Sequence, residues 1–245
     1  MRDDQVDTIR YGGDHDSQFI ELWEPDVLYF PVGVAALVHG GYWRARNDCS
    51  LMYPLVTDLT ARGWVVGNLE YRRVGAGGGW PQTVQDVDTG LHALGHHWKA
   101  KYREVPWIGI GHSVGGQLLL LAAHHMDAVM ALAPVTDLLK TDRERLGEDA
   151  TVQFMGGRND EMPQSYEAAS PVYNLPACQD VLVIHGDVDV RVPIEHSRVF
   201  VEAARIAGRS VSLREVHGLE HLEAIDPDAA FWPDAVRWME SFATK

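Results

Sequence analysis

Residues 107–125, WIGIGHSVGGQLLLLAAHH, place a serine among glycines between two apolar runs. The first run is short and partly β-branched, whereas the second is long and rich in leucine and alanine, which favour helix. We therefore predict a strand, a tight turn and a helix. Gly111 and Gly115 carry no side chain that would clash where helix and strand approach, so the turn leaves Ser113 presented at a sharp corner.

Six segments are predicted to be strands, and most are nearly continuous apolar runs: residues 34–40, 64–71, 105–111, 128–134, 180–186 and 211–216. Five segments are predicted to be helices: residues 51–62, 83–101, 114–126, 195–207 and 229–242. Apolar strands alternating with helices are typical of a parallel sheet that is covered on both faces. We expect an α/β fold with a mostly parallel sheet and helices on both faces.

The domain organisation is expected to be simple. A chain of 245 residues can bury a sizeable core, so residues 1–245 are predicted to form a single domain. The regular spacing is interrupted at residues 135–178, which contain charged, glycine-marked and proline-marked pieces. We interpret this segment as a small insertion that shapes the substrate pocket.

The composition excludes several classes of partner. The net charge of −14 would repel nucleic acid and anionic membranes. No apolar run is long enough to span a bilayer, and the first sixteen residues lack the apolar core of a signal peptide. Cys49 and Cys178 lie in different kinds of segment, which fits a reducing compartment. We predict a cytoplasmic protein, and the sequence leaves a homo-oligomer open.

Polar residues collect where the predicted strands end. The carboxyl ends of parallel strands meet at one edge of a sheet, where open α/β sheets place their sites. In chain order the residues following the strands are HGG at 39–41, Ser113, the pair Asp187 and Asp189, and the pair His217 and His221. A serine, an acid and a histidine in this order, with G-x-S-x-G between strand and helix, are the pattern of the α/β-hydrolases.

The chain resembles the α/β-hydrolase superfamily throughout, and within it the group of bacterial esterases and kynurenine formamidases (arylformamidases). That group has an HGG-x-W motif, here HGGYW at 39–43, and a motif HG-x-x-D-x-x-VP, here HGDVDVRVP at 185–193. The second motif implies that Asp189, rather than Asp187, is the acid. GLEHL at 218–222 aligns His221 with the family's histidine, although a leucine replaces the common phenylalanine and His217 remains an alternative. Residues 11–25 also resemble the family's first hairpin, and the resemblance implies a mostly parallel sheet of about eight strands.

This resemblance assigns chemical roles. Ser113 would attack as the nucleophile, His221 would take and return its proton, and Asp189 would hold the imidazole in the correct tautomer. The oxyanion of the intermediate would be bound by the backbone N–H groups of Gly41, Tyr42 and Val114.

We therefore predict a serine hydrolase that cleaves small carboxylic esters through an acyl-enzyme. The alternative is an arylformamidase acting on N-formylkynurenine or a related amide, and a non-catalytic binding protein on the same fold is a third hypothesis. Trp43 and Trp80 are candidates for the lining of the substrate pocket. His39, which ends a predicted strand, is interpreted as a brace for the oxyanion loop.

No metal or cofactor is predicted. HGLEH at 217–221 matches the H-x-x-E-H zinc motif, but Gly218 disfavours the helix that this motif needs. GIGHSVG at 109–115 resembles a dinucleotide-binding turn, yet the next strand does not end in the acid such a cofactor requires. The pairs His96–His97 and His124–His125 are expected to diverge on their helices, so neither is predicted to bind metal.

Overall fold

Eight strands form one sheet in the computed structural model, which describes residues 6–13, 15–26, 30–102, 104–178 and 180–243, without the side chains of 99 and 100. The strands are β1 (Asp7–Arg10), β2 (Phe19–Trp23), β3 (Val34–Val38), β4 (Val65–Leu69), β5 (Trp107–His112), β6 (Ala128–Leu132), β7 (Asp180–Gly186) and β8 (Val211–Val216). Their order across the sheet is β1-β2-β4-β3-β5-β6-β7-β8. Pairs β1–β2 and β2–β4 are antiparallel, and the others are parallel. The predicted fold class is confirmed.

The helices of the described residues are α1 (Tyr53–Ala61), α2 (Gln82–Lys101), α3 (Val114–Leu121), α4 (Leu138–Arg143), α5 (Leu146–Met155), α6 (Pro163–Ala168), α7 (Glu195–Ile206) and α8 (Trp232–Ala243). Five of them match the five predicted helices within a few residues. The predicted helix 114–126 is shorter than expected, because α3 ends at Leu121 and a separate 3-10 turn follows at Ala123–His125. None of the described helices combines the length and apolarity that crossing a bilayer requires.

The central strands are buried on both faces because helices cover the sheet on both sides. In β3, Val34, Ala36 and Val38 face one apolar cluster, which includes residues of α2, α3 and α7. Ala35 and Leu37 face the other cluster, which includes residues of α1 and α8. This alternation explains why these strands are apolar at every position.

The N-terminal hairpin lies slightly earlier than the resemblance implied. Strand β1 pairs with β2 from Asp7 opposite Leu22 to Arg10 opposite Phe19, so part of the predicted 11–25 segment is the connection. Asp14 of that segment, and residues 1–5 of the stretch assessed for a signal peptide, lie outside the described residues.

Residues 135–178 contain the three helices α4, α5 and α6, and they pack beside the HGGYW loop. The start of α5 is unusual, since Gly147, Glu148 and Asp149 have left-handed backbone angles and regular helix begins at Ala150. Arg44 Nη2 donates a hydrogen bond of 2.6 Å to the carbonyl of Gly147, which joins this segment to the loop.

Candidate active site

Ser113 lies at the turn between β5 and α3 in a strained conformation, with φ 56° and ψ −119°. Such a conformation costs on the order of 1–3 kcal/mol in a non-glycine residue, and it persists only where the surroundings enforce it. Close packing around the turn holds this conformation. A Cβ added at Gly115 would lie 2.1 Å from the carbonyl oxygen of Val38, and a Cβ added at Gly111 would lie 2.5 Å from the carbonyl oxygen of Gly115. The structure thus has the strand, sharp turn and helix predicted from the glycines.

A buried aspartate and histidine face each other near this turn. Oδ2 of Asp189 accepts a hydrogen bond of 2.6 Å from Nδ1 of His221, and the two side chains are almost inaccessible to solvent. Oδ1 of Asp189 accepts two bonds from the backbone N–H groups of Arg191 and Val192. The carboxylate is therefore fixed by its own loop and oriented towards the imidazole.

His185 makes a further contact to the same carboxylate. Its Nε2 lies 2.9 Å from the carbonyl of Val192 and 3.2 Å from Oδ2 of Asp189, so this nitrogen donates. Burial raises the pKa of the Asp189 carboxyl, but hydrogen bonds from His185 and His221 lower it by more, and the pKa is held below its usual range. Asp189 is thus ionised at neutral pH and suited to stabilise an imidazolium.

The alternative acid and histidine form a separate pair at the surface. His217 Nδ1 contacts Oδ2 of Asp187 at 2.7 Å, and the His217 side chain is 96% exposed. The structure thus brings Asp189 together with His221, and Asp187 with His217. Because the two histidines face different aspartates, the H-x-x-E-H sequence does not gather a set of metal ligands.

His112, next to Ser113, connects the turn to the histidine loop. Its Nε2 donates a hydrogen bond of 3.0 Å to the carbonyl of His221, and the two rings are 4.6 Å apart. Its Nδ1 is buried and has no partner among the described groups. Burial, with a smaller effect of His221, lowers the pKa of His112 to about 3. No role for His112 could be predicted from its sequence neighbours, because its partner lies 109 positions away.

We predict that His112 makes the protein acid-sensitive. Its pKa is lowered on folding, so its contribution to stability is complete above the unfolded pKa of about 6.5 and is lost as the pH falls towards 3. Because His112 binds a proton in the unfolded chain but not in the folded one, it should lower the free energy of unfolding by about 2 kcal/mol between pH 7.5 and pH 5. The variant His112→Gln keeps a hydrogen-bond donor but does not titrate. In urea unfolding, its loss of free energy of unfolding between pH 7.5 and pH 5 should be smaller than that of the wild type by about 2 kcal/mol. The exposed His97→Gln should follow the wild type, and parallel profiles for all three proteins would contradict the prediction.

The predicted oxyanion donors lie on a loop with unusual backbone angles. Gly41, Tyr42 and Trp43 all have positive φ, at 116°, 54° and 56°. The N–H groups of Gly41, Tyr42 and Val114 donate to no other group among the described residues, and Val114 is the first residue of α3. Free N–H groups at a strained loop and at a helix N-terminus are the donors that an oxyanion needs.

Side chains hold this loop in place. The hydroxyl of Tyr42 donates to the carbonyl of Arg191 at 2.9 Å, so the side chain bridges to the loop that carries Asp189. Trp43 is fully buried, stacks on Phe154 at 4.4 Å and donates from its indole N–H to Gln117. Trp43 therefore lies in the core behind the loop and exposes no face to solvent.

Trp80, the second pocket candidate, is half-buried and packs against the core. Its backbone N–H donates to the carbonyl of Phe154 at 2.8 Å, next to the end of α5. It thus connects the glycine-rich residues 74–81, VGAGGGWP, to the inserted segment.

A buried polar cluster lies behind the loop. Nε2 of His39 lies 3.2 Å from Oε1 of Glu70, and the His39 ring stacks on Tyr71. The other Glu70 oxygen accepts from Nη1 of Arg73 and from the backbone N–H of Cys49. His39 has the surroundings expected of a brace. Sequence analysis missed Glu70 and Arg73, although charges directly after the buried strand β4 were a usable signal.

One expectation about histidines is wrong. His124 and His125 do not diverge, because they lie in the 3-10 turn after α3, and their rings are only 4.1 Å apart. Both lie beside Asp88 of α2. Among the described residues, these three form a group of side chains close enough to share one metal ion.

The chain is similar in sequence to a known protein family and to individual hydrolases. Residues 85–242 match the prolyl oligopeptidase family. The esterase LipC of Mycobacterium tuberculosis is 27% identical over 233 residues, which cover 85% of this chain and 58% of LipC. The chain thus spans little more than half the length of that relative. The kynurenine formamidase of Drosophila melanogaster is 25% identical over 96% of this chain and 81% of its own length.

Solved structures show the same fold. A truncated carbohydrate esterase from gut microbiota superposes with a TM-score of 0.79 at 19% identity, over 100% of this chain and 99% of its own. Esterase 2 of Thermogutta terrifontis, phosphonylated by sarin, superposes with a TM-score of 0.74 at 19% identity, covering 98% and 93% of the two chains.

Proposed function

The chain belongs to the prolyl oligopeptidase family of α/β-hydrolases, and from this premise we propose that it is a serine hydrolase that cleaves small carboxylic esters. The observation that carries the proposal is the buried Asp189–His221 pair next to the strained turn of Ser113. The esterases among its relatives support the same chemistry.

The proposed reaction uses the chain's own groups. His221 takes the proton of the Ser113 hydroxyl as its oxygen attacks the ester carbonyl, and Asp189 stabilises the imidazolium. The oxyanion is bound by the N–H groups of Gly41, Tyr42 and Val114. His221 then gives its proton to the leaving alcohol, and an acyl-serine is formed. Water, activated by the same imidazole, hydrolyses this ester and restores the free hydroxyl.

We infer that the site accepts short acyl groups. Tyr42 is held against the inserted segment, since a Cβ added at Gly147 would lie 2.6 Å from a carbon of its ring. Its hydroxyl contacts the Asp189 loop, so one side chain links the oxyanion loop, the acid loop and residues 135–178. These contacts support a closed acyl side, and with it the role of the insertion in shaping the pocket.

On a series of p-nitrophenyl esters, kcat/KM should fall by at least about tenfold from acetyl to decanoyl. An oversized acyl chain must displace packed side chains, at a cost of ~1–3 kcal/mol. Tyr42→Ala retains the backbone donor but removes the ring, so this variant should show a flatter dependence on chain length. A wild-type preference for chains of ten carbons or more would contradict the closed pocket. Preferential cleavage of a prolyl peptide anilide would contradict the esterase proposal.

An arylformamidase activity is the second candidate. The formamidase relative supports it, because it matches nearly all of this chain and most of its own length. Formamides and esters pass through the same tetrahedral intermediate, so the proposed residues serve either substrate. Hydrolysis of N-formylkynurenine with a kcat/KM equal to that of the best ester would favour the formamidase, and its absence would favour the general esterase.

We also propose that residues 1–245 act as one domain. We propose that the protein is cytoplasmic, and the two unpaired cysteines support this location. The substrate is a small molecule, and the excess of negative charge disfavours nucleic acid as a partner.

A further inference from the structure

Two histidines and an aspartate meet on the surface far from Ser113. Asp88 lies on α2, and His124 and His125 lie in the turn that follows α3. Oδ1 of Asp88 is 3.4 Å from Nε2 of His124 and 2.9 Å from Nε2 of His125. The three ligand atoms all lie within 4.8 Å of one another.

These distances fit a tetrahedral ion. Zinc binds imidazole nitrogen and carboxylate oxygen at about 2.0–2.2 Å, which places neighbouring tetrahedral ligands about 3.3 Å apart. The observed separations of 3.4 Å and 2.9 Å lie on either side of that value. Imidazole with a carboxylate suits Zn²⁺, whereas Mg²⁺ and Ca²⁺ prefer sites made only of oxygen.

Two features of the surroundings favour a cation here. His92 lies one helical turn after Asp88 on α2, and its ring is 6.2 Å from that of His125. It is an exposed imidazole beside the group, although the three ligand atoms that lie within 4.8 Å of one another do not include it. The net charge of −14 also attracts cations to the protein.

We propose that Asp88, His124 and His125 form a binding site for one Zn²⁺ ion, with His92 or water as the fourth ligand. The ion would join α2 to the 3-10 turn that follows α3, the helix that begins directly after Ser113. The eight residues of α3, about 12 Å long, lie between Ser113 and the turn that carries His124, so the ion acts on stability and takes no part in ester cleavage. The site is independent of the proposed hydrolase activity.

The test uses the whole chain without an affinity tag, freed of metal by a chelator. Calorimetric titration with zinc chloride should show one Zn²⁺ per chain, and Co²⁺ should give the visible absorption of a tetrahedral complex. Zinc at 100 times its Kd should raise Tm by about 5 °C or more.

Asp88→Ala and His124→Ala should each weaken binding more than about tenfold. Both variants should keep wild-type ester hydrolysis and circular dichroism.

His97→Ala is the matched control, because His97 is an exposed histidine on α2 outside the group. It should bind Zn²⁺ as the wild type does. The absence of a saturable site in the wild type would overturn the proposal. So would full affinity in Asp88→Ala and His124→Ala, since the ion would then bind elsewhere, for example at His221.

Discussion

Ser113→Ala should reduce kcat/KM for p-nitrophenyl acetate by more than about 10³-fold while the protein stays folded. The substitution removes only the hydroxyl oxygen, so it introduces no new contact at the turn. Close packing enforces the turn, so the backbone should keep its shape. Residual activity should come only from substrate binding and the oxyanion donors.

Covalent labelling gives a second readout for the same residue. A fluorophosphonate should modify wild-type Ser113, which mass spectrometry of the peptide around it would show, and should leave Ser113→Ala unlabelled. Ser50→Ala, an exposed serine beside Asp48, is the control and should be active and labelled. An active, labelled Ser113→Ala protein would mean that another residue is the nucleophile.

Asp189→Asn should lower kcat by about 10³–10⁴-fold, whereas Asp187→Asn should stay within a few-fold of the wild type. Asp189 contacts His221 at 2.6 Å and also His185 at 3.2 Å, whereas Asp187 contacts His217 alone among the histidines, at 2.7 Å. The two aspartates also differ in burial, because Asp189 is buried with His221 and Asp187 is at the surface with His217. An asparagine at 189 no longer stabilises the imidazolium and can hold the wrong tautomer.

The histidines provide the matching comparison. His221→Ala should be as inactive as Ser113→Ala, and His217→Ala should keep most of the activity. If Asp187→Asn and His217→Ala were instead the inactive pair, the motif alignment that selected Asp189 and His221 would be wrong by two and four residues.

Local patterns were enough to predict the fold and the turn. The strands could be found because a strand covered on both faces must be apolar at every position, as Val34–Val38 is. Gly111 and Gly115 marked the sharp corner because no other residue fits where backbone meets backbone. Choosing Asp189 over Asp187 needed the family motif, since both aspartates follow the same strand.

Contacts between distant segments could not be predicted in this way. Nothing near His112 in the chain indicates that its imidazole donates to the carbonyl of His221. The Trp43 indole was as plausible in a pocket as in the core until its stacking on Phe154 was known. The convergence of His124 and His125 depended on α3 ending at Leu121, before either histidine, which the apolar pattern of this segment did not show.

By itself, the sequence determined the α/β class, the order of β3 to β8 with five of the helices, and the positions of a serine, an acid and a histidine at strand ends. These depend on hydrophobic periodicity and on glycine, which act over a few residues. Only the tertiary structure decided which aspartate meets which histidine, which tryptophan is buried and which surface side chains meet at Asp88. Such pairings depend on side-chain packing between residues far apart in the chain, and local periodicity carries no information about them.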